Sequence, residues 1–210
     1  MSHGVHAVQH EVEHELEHGG HDGGHEKKPA DNQNRKIALL ISVIALFLAF
    51  SETLGKSAQT AGIGYNVEAA NLWAFFQAKT IRRTLVETAA QEMTVEATAV
   101  TNEATKAAMA KQIDAWQKTA QRYRSEPDTR EGSIELMERA REAEHKRDTA
   151  LARYHHYEVA SAAYQIGIVL ASAAVITGII ALAYAAGVLG LAGIAFTCIG
   201  FFAPHAVHLF

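Results

Sequence analysis

The last quarter of the sequence lacks charged side chains altogether, because no Asp, Glu, Lys or Arg occurs between Val159 and Phe210. Roughly 20 apolar residues cross a bilayer as a helix, so this run is long enough for two crossings. The best turn candidate within it is Tyr184-Ala185-Ala186-Gly187, which predicts membrane spans over 161–184 and 186–202. The missing charges also argue against an ion-coupled transporter, which needs ionisable groups inside the membrane.

Cysteine and the motifs of common enzyme classes are scarce as well. Cys198 is the only cysteine, which excludes a disulfide within the chain. The sequence contains no Gly-rich phosphate loop, zinc-binding cysteine cluster or nucleophile elbow. We therefore expect no enzymatic activity, no catalytic residues and no organic cofactor.

The middle of the chain lacks net charge although it is rich in charged residues. Residues 55–160 hold fifteen basic and fifteen acidic side chains, and the whole chain has a net charge of −4. A basic face for nucleic acid is therefore not expected. Apolar spans beside a polar, neutral middle are typical of a membrane protein with one extramembrane module.

Histidine is abundant in the first 35 residues, which we interpret as a His/Glu-rich tail. Its histidines recur every three or four residues, which predicts an amphipathic helix over about 4–18. Imidazoles four residues apart on a helix can share one divalent metal ion. The weak candidates for such a site are His6, His10, His14 and His18. The alternative is a solvated tail without a specific ligand.

A first membrane span is predicted over 36–54, because an apolar run from Ile37 to Phe50 follows Arg35-Lys36. A buried core helix is the alternative for so short a run. Glycines at 55, 62 and 64 indicate a non-helical connection after it. The connector region, 55–83, then continues into an aromatic helix that we expect at the membrane surface or docked against the spans. Its interfacial residues are Trp73, Phe76, Lys79, Arg82 and Arg83.

The segment 84–160 predicts a long extramembrane helical hairpin. Neither Gly nor Pro occurs between Thr84 and Arg124, and apolar residues recur there in steps of four and three from Val86 to Ala107. The stretch around Pro127 and Gly132 breaks the helix, and a second arm with similar spacing starts at Ser133. The fold class expected is an all-α membrane protein in which three transmembrane helices carry this antiparallel, coiled-coil-like hairpin.

Small residues recur in the second span with the same spacing. Helices associate in lipid where small side chains let their backbones approach. This stripe therefore predicts a homo-oligomer, with a second membrane protein as the alternative partner. Its members are Gly167, Ala171, Ala174, Gly178, Ala181 and Ala185.

The flanking charges predict the orientation in the membrane. Four basic residues (Lys27, Lys28, Arg35 and Lys36) precede the first span and only Lys56 directly follows it, which favours a cytoplasmic N-terminus. Residues 55–160 are then periplasmic, in a multi-pass protein of the bacterial inner membrane. The basic residues at 146, 147 and 153 before the second span favour the opposite orientation.

The segment Leu72-Trp73-Ala74-Phe75-Phe76-Gln77-Ala78-Lys79, with the His/Glu-rich head and the three spans, resembles a bacterial membrane family. It is the family called domain of unknown function 4337, whose members have W-A-aromatic-aromatic-Q-A-K at this point. The resemblance implies nearly full-length similarity and supplies no activity or site residues.

Two functional hypotheses follow. The first is a non-enzymatic membrane scaffold that homo-oligomerises through its small-residue faces and its Ala-rich helical module. The second is a divalent-metal-handling or channel-like oligomer that uses the histidine tail as a metal buffer.

Overall fold

A computed structural model describes residues 29–207, and between them the chain forms helices and no strand. The elements are α1 (Pro29–Ala99), α2 (Glu103–Arg124), α3 (Ser133–Thr177) and α4 (Ile180–Phe202). The prediction of an all-helical chain is confirmed. Of these helices, α1, α3 and α4 are long and apolar enough to cross a membrane.

Helix α1 has 71 residues and runs without interruption through all three glycines that follow the first apolar run. The predicted non-helical connection is therefore wrong. Gly55 and Gly62 lie where α3 crosses closely: a Cβ at Gly55 would sit 3.5 Å from the Tyr157 Cβ, and one at Gly62 would sit 3.1 Å from a Leu151 methyl carbon. Close packing on α3 thus offsets the cost of roughly 1 kcal/mol that glycine imposes on a helix.

Helix α1 ends at Ala99, and the chain then reverses into α2. The Asn102 side chain accepts a 3.0 Å hydrogen bond from the Thr105 amide and so caps the new helix. The prediction of one unbroken arm from Thr84 to Arg124 is wrong for this reason. Helix α2 packs back along α1, where Ala90 and Ala120 are both buried.

Helix α3 starts after the loop 125–132 and packs along α1 towards its N-terminal end. Leu136 and Ala140 of α3 contact Ala69 and Leu72 of α1. Each predicted arm of the hairpin therefore has a different partner: residues 84–99 pair with α2, and α3 pairs with residues 55–83. Helix α1 is long enough for α2 and α3 to pack on different parts of its length, whereas the prediction paired the two arms with each other.

The turn between α3 and α4 lies at Gly178 and Ile179, not at the predicted 184–187. Gly178 adopts a left-handed conformation with φ 73°, and its N–H donates a 2.9 Å hydrogen bond to the Ala174 carbonyl. Glycine takes this conformation without steric cost. Residues Tyr184 to Gly187 instead continue α4, because alanine is a strong helix former.

Two regions follow from this packing. The apolar bundle consists of 36–54, 159–177 and 180–202, with Ile37, Ala171, Ala174, Ala183 and Ala186 in one of its cores. The stalk consists of 55–99, 103–124 and 133–158. Because α1 continues for 45 residues beyond Leu54, the stalk extends about 68 Å from the bundle.

Candidate functional site

The outer face of α1 is the side that neither α2 nor α3 covers. In the stalk it presents five large apolar residues, whose exposed fractions are 60% at Ile63, 53% at Val67, 69% at Ile81, 69% at Leu85 and 70% at Val95. A helix advances by about 100° per residue, so these five positions fall within one sector of roughly 80°. They form one stripe about 48 Å long.

On the same face of α1, the residues that lie between these five are small or uncharged, with one exception. Spacing along the stripe is three or four residues throughout, as in a coiled-coil contact. Its exposed members are Ile63, Val67, Ala70, Ala74, Gln77, Ile81, Leu85, Thr88, Glu92 and Val95. Glu92 is the only charged residue among them, so the stripe resembles the contact face of a helix that has a partner.

The same face of α1 continues into the apolar bundle with small residues. Ala38, Ser42, Ala45 and Ala49 are all exposed and are also spaced by three or four residues. The Ser42 hydroxyl is already satisfied, because it donates a 3.0 Å hydrogen bond to the Ala38 carbonyl. This part of the face therefore lets another helix approach closely without burying an unpaired polar group.

The opposite face of α1 carries the aromatic residues and packs on α3. Trp73 and Phe76 make an edge-to-face contact at 5.4 Å and pack against the core that contains Leu136. The Trp73 indole N–H donates a 3.0 Å hydrogen bond to the Glu144 carboxylate. Trp73 lies about 29 Å beyond Leu54 along the helix, so the expected membrane-surface helix is instead part of the stalk.

Lys79 marks the level at which α1, α2 and α3 meet. Its residue exposure is 7%, and its ammonium lies 3.8 Å from Glu126 and 3.7 Å from Glu131. It also lies 5.4 Å from the ring centroids of both Phe75 and Tyr123. Lys79 thus holds the loop 125–132 onto α1 by charge pairing, and it holds Tyr123 of α2 by cation–π attraction.

The other two basic residues of the aromatic segment have lesser roles in the packing. Arg82 is exposed. Arg83 lies 3.7 Å from Glu87 on the same helix. An exposed or half-exposed pair of this kind contributes little to stability.

A groove of about 630 Å³, lined by both apolar and charged residues, lies where the stalk joins the bundle, between α1 and α3. Within it the Lys146 ammonium is 2.7 Å from the Glu142 carboxylate. This hydrogen bond lowers the pKa of Glu142 and raises the pKa of Lys146. Arg153 also lines the groove, so a positive charge remains there beside the neutralised pair.

Two histidines lie beside this groove, with ring centroids 6.3 Å apart at His145 and His205. The Thr149 hydroxyl is 3.1 Å from His205 Nε2. Among residues 29–207, no group of three His, Cys, Asp or Glu side chains comes together to hold a metal ion. The predicted metal candidates His6, His10, His14 and His18 lie outside the described residues.

The family model for the domain of unknown function DUF4337 matches residues 33–203. The chain belongs to the DUF4337 family. The resemblance drawn from the aromatic segment is therefore confirmed. No curated protein and no solved structure matches the chain.

The small-residue stripe predicted for oligomerisation is divided in this DUF4337 chain. Gly167, Ala171 and Ala174 are buried inside the bundle, against residues of α1 and α4. The other three members do not extend this contact: Gly178 forms the turn, and Ala181 and Ala185 are exposed on α4. The turn at Gly178 ends the helix on which the six residues would have formed one face.

The outer face of α1 did not emerge from the sequence analysis. Its spacing of three and four residues is present in the sequence, but the expected break at Gly55–Gly64 separated the two parts of the pattern. The repeat predicted from Val86 to Ala107 is divided by the end of α1. Its members on α1, from Val86 to Ala97, are buried or half-buried and face α2 of the same chain, whereas Ala104 and Ala107 lie on α2 and are exposed.

Proposed function

We propose that this DUF4337 protein is a non-enzymatic membrane scaffold that homo-oligomerises through the outer face of α1. The observation that carries the proposal is the row of five large apolar side chains exposed on the stalk, from Ile63 to Val95. In water, an apolar row of this length is unfavourable unless another surface covers it. A second copy of α1 offers the same spacing and so matches it.

The alanine- and serine-lined part of the outer face supports the same contact within the membrane. In lipid, burial of apolar side chains gives no hydrophobic driving force, so association of two helices depends on how closely their backbones approach. Ala38, Ser42, Ala45 and Ala49 permit that approach. One continuous face of α1 thus suits a helix–helix contact in both environments.

Charge also favours assembly of several copies. Residues 55–160 hold equal numbers of basic and acidic side chains, fifteen of each, so neighbouring stalks do not repel each other through net charge.

In the proposed orientation the N-terminus is cytoplasmic, and the stalk projects into the periplasm from the bacterial inner membrane.

The test is to place a carboxylate in the centre of the outer face with Leu85→Glu. An unpaired charge in the contact costs several kcal/mol, so we expect association to weaken at least about tenfold. The measurement is the mass of the protein in mild detergent and in lipid nanodiscs, by size-exclusion chromatography with light scattering.

Arg82→Glu is the matched control, because it introduces the same carboxylate at an exposed position of α1 that is turned well away from the face. This variant should keep the wild-type mass. A wild-type protein that is monomeric in both media would overturn the proposal. If Leu85→Glu leaves the oligomer mass unchanged, the contact between copies lies on another surface.

A second candidate function is divalent-metal handling, and the spacing of the tail histidines from His6 to His18 favours it. Deleting residues 1–28 separates the two functions. Under the scaffold proposal the oligomer mass stays the same and metal tolerance is unaffected. A loss of metal tolerance with an intact oligomer would favour metal handling.

A further inference from the structure

A groove of about 590 Å³ runs between α1 and α4 on the surface of the apolar bundle. Leu40, Val43 and Phe47 line it on α1, and Val188 and Leu191 line it on α4. The two helices approach closely at one point, where a Cβ at Gly190 would sit 3.3 Å from Ile44. The groove is therefore a depression in the surface of the bundle, closed at its base by the contact between α1 and α4, and not a gap through the bundle.

The length of the groove matches one leaflet of a bilayer. Along α1 it runs from Lys36 to Phe47, which is about 16 Å of helix. Half of a hydrocarbon core that is ~30 Å thick measures ~15 Å. At the inner end the ring of Phe47 stacks on the buried Tyr164 at 6.2 Å, which marks the far limit of the furrow.

The outer end of the groove carries its only charged residue, Lys36, together with Tyr184. Tyr184 is 72% exposed. Lysine and tyrosine are typical of the headgroup level of a membrane, where an ammonium attracts the phosphate of a lipid. One end of the groove thus suits an anionic headgroup, and the remainder suits a hydrocarbon chain.

We infer that this groove binds one acyl chain of an anionic phospholipid from the leaflet on the Lys36 side. A second copy of the chain is the less fitting occupant, because the groove lies on the side of α1 roughly opposite Ala38 and Ala45 of the outer face. The inference rests on the membrane insertion in the proposed function, and it does not depend on oligomerisation.

The experiment uses the full-length protein in phosphatidylcholine nanodiscs that contain a small fraction of photoactivatable lipid. Two probes carry the same diazirine acyl chain, one on phosphatidylglycerol and one on phosphatidylcholine. The readout is the yield and position of lipid adducts by mass spectrometry of peptides. We expect adducts at 36–47 and 180–194, about fivefold more abundant with phosphatidylglycerol, since one lysine at an anionic surface contributes ~1 kcal/mol.

Two variants test the parts of the groove separately. Lys36→Gln should remove the preference for phosphatidylglycerol. Gly187→Leu should reduce the adducts of both probes, because a Cβ at Gly187 meets no atom within 4 Å and a leucine therefore extends into the groove without displacing the helices. Ala185→Leu is the matched control, since Ala185 is exposed on α4 outside the groove.

Adducts spread evenly over exposed residues such as Leu46 and Val169, or equal yields for the two headgroups, would overturn the inference. A diazirine placed at Leu191 that yields protein–protein adducts instead of lipid adducts would assign the groove to a second copy. The oligomer mass is measured on the same samples, so a failed scaffold and a failed lipid site give different results. The comparison of headgroups in the wild-type protein stands even if a variant does not fold.

Discussion

The apolar bundle and the stalk share helix α1, yet exposed apolar side chains have different consequences in the two regions. In the bundle, Leu46 and Ile176 are exposed to 61% and 85%, and a hydrocarbon environment would leave them at no disadvantage. In the stalk, Ile81 and Leu85 are each 69% exposed, and water around them is unfavourable. Under the proposed function, the same kind of exposure corresponds to lipid in one region and to a second copy of the chain in the other.

The buried contacts differ in the same way. In the bundle, glycines and alanines let the helices meet closely around a few large side chains, as where Gly193 packs under the ring of Tyr164. In the stalk, large side chains such as Leu136, Leu72 and Trp73 fill the space between α1 and α3. If the bundle lies in lipid as proposed, burial of apolar area stabilises contacts in the stalk more than in the bundle, so large buried side chains should contribute more to the stalk.

The largest expected effect is that of Leu136→Ala, which tests whether apolar burial holds the stalk together. Leu136 is fully buried, and truncation of such a leucine costs about 2–5 kcal/mol. We expect amide hydrogen exchange to accelerate over 133–150 and over the facing part of α1, while the apolar bundle remains protected.

Ile134→Ala is the control for this prediction, because Ile134 lies two residues away on the same helix and is 45% exposed. It should change exchange rates little. Equal effects of the two substitutions would mean that burial at Leu136 does not stabilise the stalk.

The next effect is that of Gly193→Leu, which tests whether close approach holds the bundle together. A Cβ at Gly193 would lie 2.5 Å from Tyr164 Cε1, and that ring is fully buried. Overpacking of this kind costs about 1–3 kcal/mol. We expect a lower thermal unfolding midpoint in detergent, followed by circular dichroism, whereas Gly187→Leu should leave it unchanged. A Gly193→Leu protein as stable as the wild type would show that α4 shifts freely on α3.

The smallest effect concerns the loop between α2 and α3 in acid. The Ser125 hydroxyl donates a hydrogen bond to Glu135, and this contact holds the pKa of Glu135 below its ordinary value of 4.5. A lowered folded pKa means that the stabilisation is present above the unfolded pKa and is lost as the pH falls through the folded value.

Between about pH 6 and about pH 3 the unfolding midpoint of the wild type should therefore fall slightly more than that of Glu135→Gln, which has no carboxylate to protonate. Ser125→Ala should lower the midpoint at the higher pH and reduce its dependence on acid. Identical acid dependence in all three proteins would contradict a role for this contact.

Sequence patterns identified what could be derived from neighbouring residues. The uncharged run from Val159 to Phe210 indicated two apolar helices, and the aromatic segment at Trp73 indicated the family. The helix breaks were less predictable. Glycine spacing suggested a break at 55–64 and none at 178, but the structure has the opposite arrangement. Glycine marks either a turn or a close helix crossing, and only the partner helix distinguishes the two.

The sequence by itself determined that the chain is helical, that three segments are apolar enough to cross a membrane, and that the middle has no net charge. These properties depend on local propensity and on the composition of each segment. Only the tertiary structure decided which face of α1 is covered. Val86 and Leu85 are neighbours with similar side chains, yet one packs towards α2 and the other is 69% exposed. The reason is that burial depends on the position of other helices, and the reversal at Asn102 places α2 on one side of α1 and leaves the outer face open.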